Sequence, residues 1–319
     1  FTLTLATNNV NTIAANTADV VSYRDADDLV VGTVNTVGIT TSNDNVTLQT
    51  GTTLAINQAV ALGTGNLTLN AGGVVTQTAA GGITAAGLEL LGTGPYTLTL
   101  ASNDVNTIAA NTADVVSYRD ADDLVVGTVN TVGITTSSDN VTLQTDTTLA
   151  INQAVNLVSG NLTLNAADAT TQTGAGTITA SGLELLGTGP YTLTNTGNNV
   201  ATIAGSTAGA INYVVANALA VGTVNATTGI TTTGNGAVTL NAGGALTLPV
   251  TLGNINADGA VSLTGLSIST AANVTTTEDD ITFVSPTILT GDVILNTGAA
   301  GGGNVLFSST LTGTTAGAD

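Results

Sequence analysis

The sequence predicts an all-β fold, a right-handed parallel β-solenoid (β-helix) with coils of roughly 19 residues, and three features predict it. The first is a long repeat. Phe1, Tyr96 and Tyr191 open three versions of one text 95 residues apart, and LELLGTGP closes the first two. The second is a finer period inside each copy. Short apolar segments begin at Val10, Leu29, Val46, Leu67 and Leu88 and resume at Val105, while a second series starts at Leu3, Val20, Ile39, Ile56 and Val75 and resumes at Leu98. Two interleaved series at this spacing imply five coils per long repeat, each holding two or three short strands. The third is strict alternation within the segments. Fixed-period self-similarity of this kind marks an array of stacked units, each burying its apolar face on its neighbours.

The strands carry this reading. TLTL (2–5), NVTL (45–48), NLTL (66–69) and YTLTL (96–100) put Leu or Val on one side and Thr or Asn on the other, as the period-two geometry of a strand requires. Gly-rich breaks, GTG at 63–65, AGG at 71–73 and GTGP at 92–95, supply corners. Two-residue Asn-Gly turns, the mark of hairpins, are scarce. Stacked coils at the usual strand spacing of about 4.8 Å satisfy the pattern better than hairpins. Copies 1–95 and 96–190 are nearly identical. In the divergent third stretch, 191–319, the long period fades after VGTVN (221–225) while the short one persists through GAVTLNAGGALTL (236–248), GAVSLTGLSI (259–268) and DVILNTG (292–298). The expectation is one continuous solenoid over 1–319.

Composition agrees. Apolar residues make up 42 % of the chain but aromatics only 3 %, so the core must consist of thin layers of Val, Leu, Ile and Ala. Abundant Thr, Asn and Gly favour pleated strands and turns over helix. The net charge is −19, and arginine (Arg24, Arg119) is the only basic residue type. A chain without a basic patch is a poor ligand for nucleic acid or acidic lipid. There is no cysteine, hence no disulfide and no thiolate metal site. No apolar run of about 20 residues suggests a membrane span. The first residue falls in phase with the repeat, and the expectation is an interior piece of something longer.

Candidate sites are few. Arg24-Asp25-Ala26-Asp27-Asp28 recurs as Arg119-Asp120-Ala121-Asp122-Asp123. Asp25, Asp27, Asp28, Asp120, Asp122 and Asp123 are therefore candidate calcium ligands, since clustered carboxylate oxygens suit that ion. The alternative is a solvated turn in which Arg pairs with Asp. The third copy has Val214-Val215-Ala216-Asn217-Ala218 there, so the coil does not need the cluster. No other cofactor is suggested. Glu89 and Glu184 lie in LELL with their side chains outward, a full repeat apart, too far to form the carboxylate pair of a glycosidase. With no His and no Lys, general acid–base catalysis has little to work with, and an enzyme is not expected. Asn-x-Thr sequons at Asn45, Asn66, Asn140, Asn161, Asn225 and Asn273 suit glycosylation, but stacked Asn ladders account for them as well.

The segments NLTLNAGG, GAVTLNAGGALTL and GITAAGLELLG resemble the coils of the filamentous haemagglutinin-like family, large exported β-helical adhesins of Gram-negative bacteria. The resemblance covers the whole chain. It implies an interior shaft exported through a partner outer-membrane transporter and displayed at the cell surface. The family's secretion domain, with its Asn-Pro-Asn motifs, has no counterpart here. Two functions are thus in view: a structural or adhesive shaft or filament segment, and a glycan- or calcium-binding module of a surface protein. Expected partners are further copies of itself, stacked head to tail through unpaired sheet edges, or a host or neighbouring-cell surface.

Overall fold

The computed structural model describes residues 1–299 and 302–314. The described residues form β-strands joined by turns, with no helix, and the strands stack in parallel as a β-solenoid. No helix among them is long and apolar enough to cross a membrane. The chain forms two compact units, Phe1–Gly160 and Asn161–Asp319.

In the first unit three ladders of parallel strands run side by side. One passes through Val21–Arg24, Val46–Thr50, Asn66–Ala71 and the second half of Ile83–Gly92. Another joins Leu29–Val31, Leu54–Ile56, Val75–Gln77, Tyr96–Leu98, Val116–Asp120 and Val141–Thr145. The third joins Ala15–Thr17, Ile39–Thr41, Val60–Ala61 and the start of Ile83–Gly92. The cause is the alternation. Val46, Leu48, Leu67, Leu69, Leu88 and Leu90 point inward and are wholly buried, and like side chains sit above one another in register. Burying one such side chain contributes about 1.5–3 kcal/mol. The intervening Thr and Gln face outward.

The coils are longer than the expected 19 residues. Register partners are 20 residues apart at Tyr96 and Val116, 21 at Val46 and Leu67, and 25 at Val21 and Val46, with a mean spacing near 21. The 25-residue coil contains Gly32–Gly38 (GTVNTVG), which leaves the wall and returns. Its ends are tied by the Gly38 N–H donating to the Gly32 carbonyl at 2.8 Å. Residues are thus added to the chain without adding a rung.

The long repeat is therefore not a whole number of coils. Leu29 pairs with Leu54, then Val75, Tyr96 and Val116. Val116 is the counterpart of Val21, not of Leu29, so four coils advance the text by one face.

The second unit repeats the plan. Tyr191–Leu193 is followed up one ladder by Ile211–Val215, Val238–Ala242, Val261–Thr264, Ile281–Phe283 and Val305–Phe307. Leu219–Val221 to Leu311–Gly313 form a second ladder, and Ile230–Thr232 to Leu295–Asn296 a third. Divergence of the third copy leaves this register intact. Phe283 and Phe307 stack in register with centroids 4.8 Å apart.

Candidate functional site

The acidic turn lies between two faces, and its three carboxylates turn three ways. Asp25 points inward and is almost wholly buried. It accepts hydrogen bonds from the Tyr23 hydroxyl at 2.8 Å, Val10 N–H at 3.0 Å and Asp27 N–H at 3.1 Å. Asp120 repeats this with the Tyr118 hydroxyl at 2.6 Å, Val105 N–H at 3.0 Å and Asp122 N–H at 3.1 Å. Burial raises the Asp25 carboxyl pKa, but the backbone donors and Tyr23 outweigh it and hold the group below the usual value. Around Asp120 burial wins and the carboxyl is raised. Burial and the neighbouring carboxylate push the Tyr23 hydroxyl up to about 12.

The exposed Asp28 bridges to the next coil, accepting from the Thr52 hydroxyl and from Thr53 N–H at 3.1 Å and Oγ1 at 2.8 Å. Asp123 does the same with Thr147 at 2.6 Å and Thr148. Asp27 accepts from Asn9 Nδ2 at 2.9 Å, and Asp122 is exposed. Among the described residues no group of three acidic side chains is placed to hold a metal ion. Arg119 pairs with Asp146 of the following coil at 3.0 Å rather than within its own cluster.

Sequence reasoning missed a second arrangement. Glu89 does project from the outer face, yet it is only 2 % exposed. The excursion Gly127–Gly133 folds across it from later in the chain. Glu89 accepts from Asn130 Nδ2 at 2.9 Å, from Thr131 N–H and Oγ1 both at 2.7 Å, and from Thr68 Oγ1 at 2.8 Å. Burial pushes its carboxyl up, but these donors prevail and hold it below the usual glutamate range.

Val129 fills the space over Gly87, where an added Cβ would lie 3.0 Å from a valine methyl. Gly133, at φ 67°, closes the excursion where any side chain would strike the Ala154 carbonyl. In the second unit Glu184 accepts from Asn225 Nδ2 at 2.8 Å, Thr227 Oγ1 at 2.7 Å and Thr163 Oγ1 at 2.7 Å, and Val224 covers Gly182. Glutamate and excursion both recur in the sequence, but 41 residues separate Glu89 from Asn130, and nothing in one dimension joins them.

Asparagines also link coils. Asn45 Oδ1 accepts from Asn66 N–H at 2.8 Å, Asn254 Oδ1 from Asn273 N–H at 2.9 Å, and Asn273 Oδ1 from Ile294 N–H at 2.9 Å. Asn103, fully buried, donates to the Leu98 carbonyl at 3.1 Å and the Arg119 carbonyl at 3.2 Å, and accepts from Ile83 N–H at 3.1 Å. Asn198 holds the same place in the second unit. The sequon positions Asn45, Asn225 and Asn273 thus have structural partners.

The fold and these side-chain bridges define the protein as a β-solenoid. Beyond that class, the chain matches no family model, no curated protein and no solved structure.

Proposed function

We propose that the protein is a structural and adhesive shaft, working outside the cell as a segment of a large surface protein or filament. The observation that carries this reading is where the polar side chains go. Asp28, Asn45, Thr68, Glu89, Asn103 and Asp123 bind the coil above or below. They stiffen the stack instead of converging on a cleft, whereas catalysis needs an acid and a base aimed at one point. The alternating Thr and Asn of the outer faces supply a long hydrogen-bonding surface for a neighbouring cell, a host surface or another shaft. Export and the Gram-negative cell surface enter through the resemblance to filamentous haemagglutinin-like coils.

The test is adhesion by the purified chain. Beads coated with it should adhere to cells or to one another, soluble chain should compete, and antibodies to it should label intact producing cells. Absence of adhesion together with an intracellular location would remove the reading. The second reading, a calcium- or glycan-binding module, draws on the exposed pairs Asp27/Asp28 and Asp122/Asp123. A calcium-dependent rise in melting temperature favours it.

A further inference from the structure

The excursion over Glu184, Gly222–Gly229, is one residue longer than the excursion over Glu89: GTVNATTG against GTVNTVG. The added residue changes the turn. Thr223 and Val224 pair with Thr228 and Thr227 as a small antiparallel ladder. Asn225 at its tip takes φ 50°, a left-handed conformation that asparagine tolerates better than most residues. Around Glu89 the Asn130 amide donates to the carboxylate. Around Glu184 the Asn225 amide also reaches a hydroxyl. Its Nδ2 donates to Thr163 Oγ1 at 3.0 Å and to Glu184 Oε2 at 2.8 Å. Thr163 Oγ1 in turn donates to the same Oε2 at 2.7 Å, and Asn161 Nδ2 donates to Asn225 Oδ1 at 3.0 Å.

These are the parts of an acyl transfer within one chain: a hydroxyl, a carboxylate touching it, an amide beside both, and a donor on the amide oxygen. Thr163 and Glu184 are buried, and Val224 closes over Gly182 beside them, which limits competing water. Burial raises the Glu184 carboxyl, but Asn225, Thr227 and Thr163 outweigh it and hold the group below the usual glutamate value. The carboxylate is therefore ionised near neutrality and able to accept a proton.

We propose that Thr163 and Asn225 become joined by an ester bond, which the chain forms on itself with loss of ammonia. Thr163 Oγ1 attacks the side-chain carbonyl carbon of Asn225, which a small rotation of that side chain brings onto the hydroxyl oxygen. The hydroxyl proton passes to Glu184 Oε2. Negative charge gathers on Asn225 Oδ1, where Asn161 Nδ2 meets it. When the carbon–nitrogen bond breaks, Oε2, already in contact with that nitrogen, returns the proton, and ammonia leaves. No oxidant or other reactant is needed. The product ties together residues 62 positions apart in a chain that has no cysteine. A cross-link of that span restricts the unfolded chain as a disulfide does. It does not depend on an adhesive role, and either reading can fail alone.

The test is the mass of the full chain, denatured for measurement after incubation at neutral pH. The mass should fall by one ammonia, and a digest should contain a species joining the Thr163 peptide to the Asn225 peptide. Hydroxylamine should separate that pair and leave a hydroxamate at position 225. Thr163→Val, which keeps the side-chain shape without the hydroxyl, and Glu184→Gln should both retain the full sequence mass. The proposal is overturned if the parent chain keeps its full mass after prolonged incubation. It is equally overturned if ammonia is lost but the two peptides stay separate, the mark of a succinimide at Asn225, or if Thr163→Val still yields the joined pair. Should either variant fold poorly, the joined peptide of the parent chain and its release by hydroxylamine decide the matter without it.

Discussion

Three tyrosines at one repeat position provide a test of how this solenoid uses buried polar groups. Tyr23, Tyr118 and Tyr213 are counterparts, and the hydroxyls of the first two donate to Asp25 and Asp120. The third copy has Val215 where the aspartate stood, and the Tyr213 hydroxyl is buried without a partner. Tyr118→Phe removes a 2.6 Å hydrogen bond to a buried carboxyl. Such a bond to a charged group contributes about 1.5–3 kcal/mol. Tyr213→Phe instead deletes a group that costs about 1–3 kcal/mol to desolvate unpaired, so a gain of about 1 kcal/mol is expected.

Arrays open locally, so global melting blurs such effects. The assay is native-state hydrogen exchange of the full chain, read at Val116–Asp120 and Ile211–Val215. About 1.4 kcal/mol is a tenfold change in protection, so Tyr118→Phe should lower protection about tenfold or more, and Tyr213→Phe should raise it about fivefold. Equal loss of protection in both variants would falsify the reasoning, because ring packing and not hydroxyl pairing would then set the energy.

Further outcomes follow from the same contacts. The folded-state carboxyls of Glu89 and Glu184 lie below the ordinary value of 4.5. Their stabilisation is therefore full above that pH and is lost as pH falls through the lowered values. Glu89→Gln should cost about 2–3 kcal/mol near neutrality by setting an amide against donors, and acid titration of its stability should be flatter than that of the parent. Gly87→Ala should displace Val129, exposing the excursion to protease while the Leu88 ladder stays protected. Leu69→Ala, at a fully buried position, should cost about 2–5 kcal/mol, seen as early urea unfolding of that coil. Calcium and chelator should leave the melting curve unchanged if Asp25 and Asp120 keep their protein donors, and a calcium-induced rise would support the binding-module reading.

The wall of the solenoid was legible in the sequence. Alternation of Leu or Val with Thr has one geometric solution for a strand with a dry side, and repetition of NLTL and VTLQT requires that the strands be stacked. The inward set Val46, Leu48, Leu67 and Leu69 follows from that alone. The count of five coils per long repeat did not hold. Spacing along the chain does not distinguish residues that form a rung from residues that leave the wall, and Gly32–Gly38 does the latter. Glu89 reads as an exposed outward side chain because alternation reports which face a residue occupies, not what later folds over that face.

What the sequence by itself determined, then, is the kind of object: parallel coils with a layered aliphatic core and polar corners, since each coil's pattern is local and is written out again in its neighbour. The tertiary structure alone decided the lateral order. Stacking placed Asn130 and Thr131 over Glu89, turned Asp25 and Asp120 inward to their tyrosines while Asp28 and Asp123 reached the next coil, and set Val116 on the ladder that runs through Leu29. The physical reason is that rungs are fixed by backbone pairing between residues 18 to 27 positions apart, so the length of each excursion determines which side chains meet.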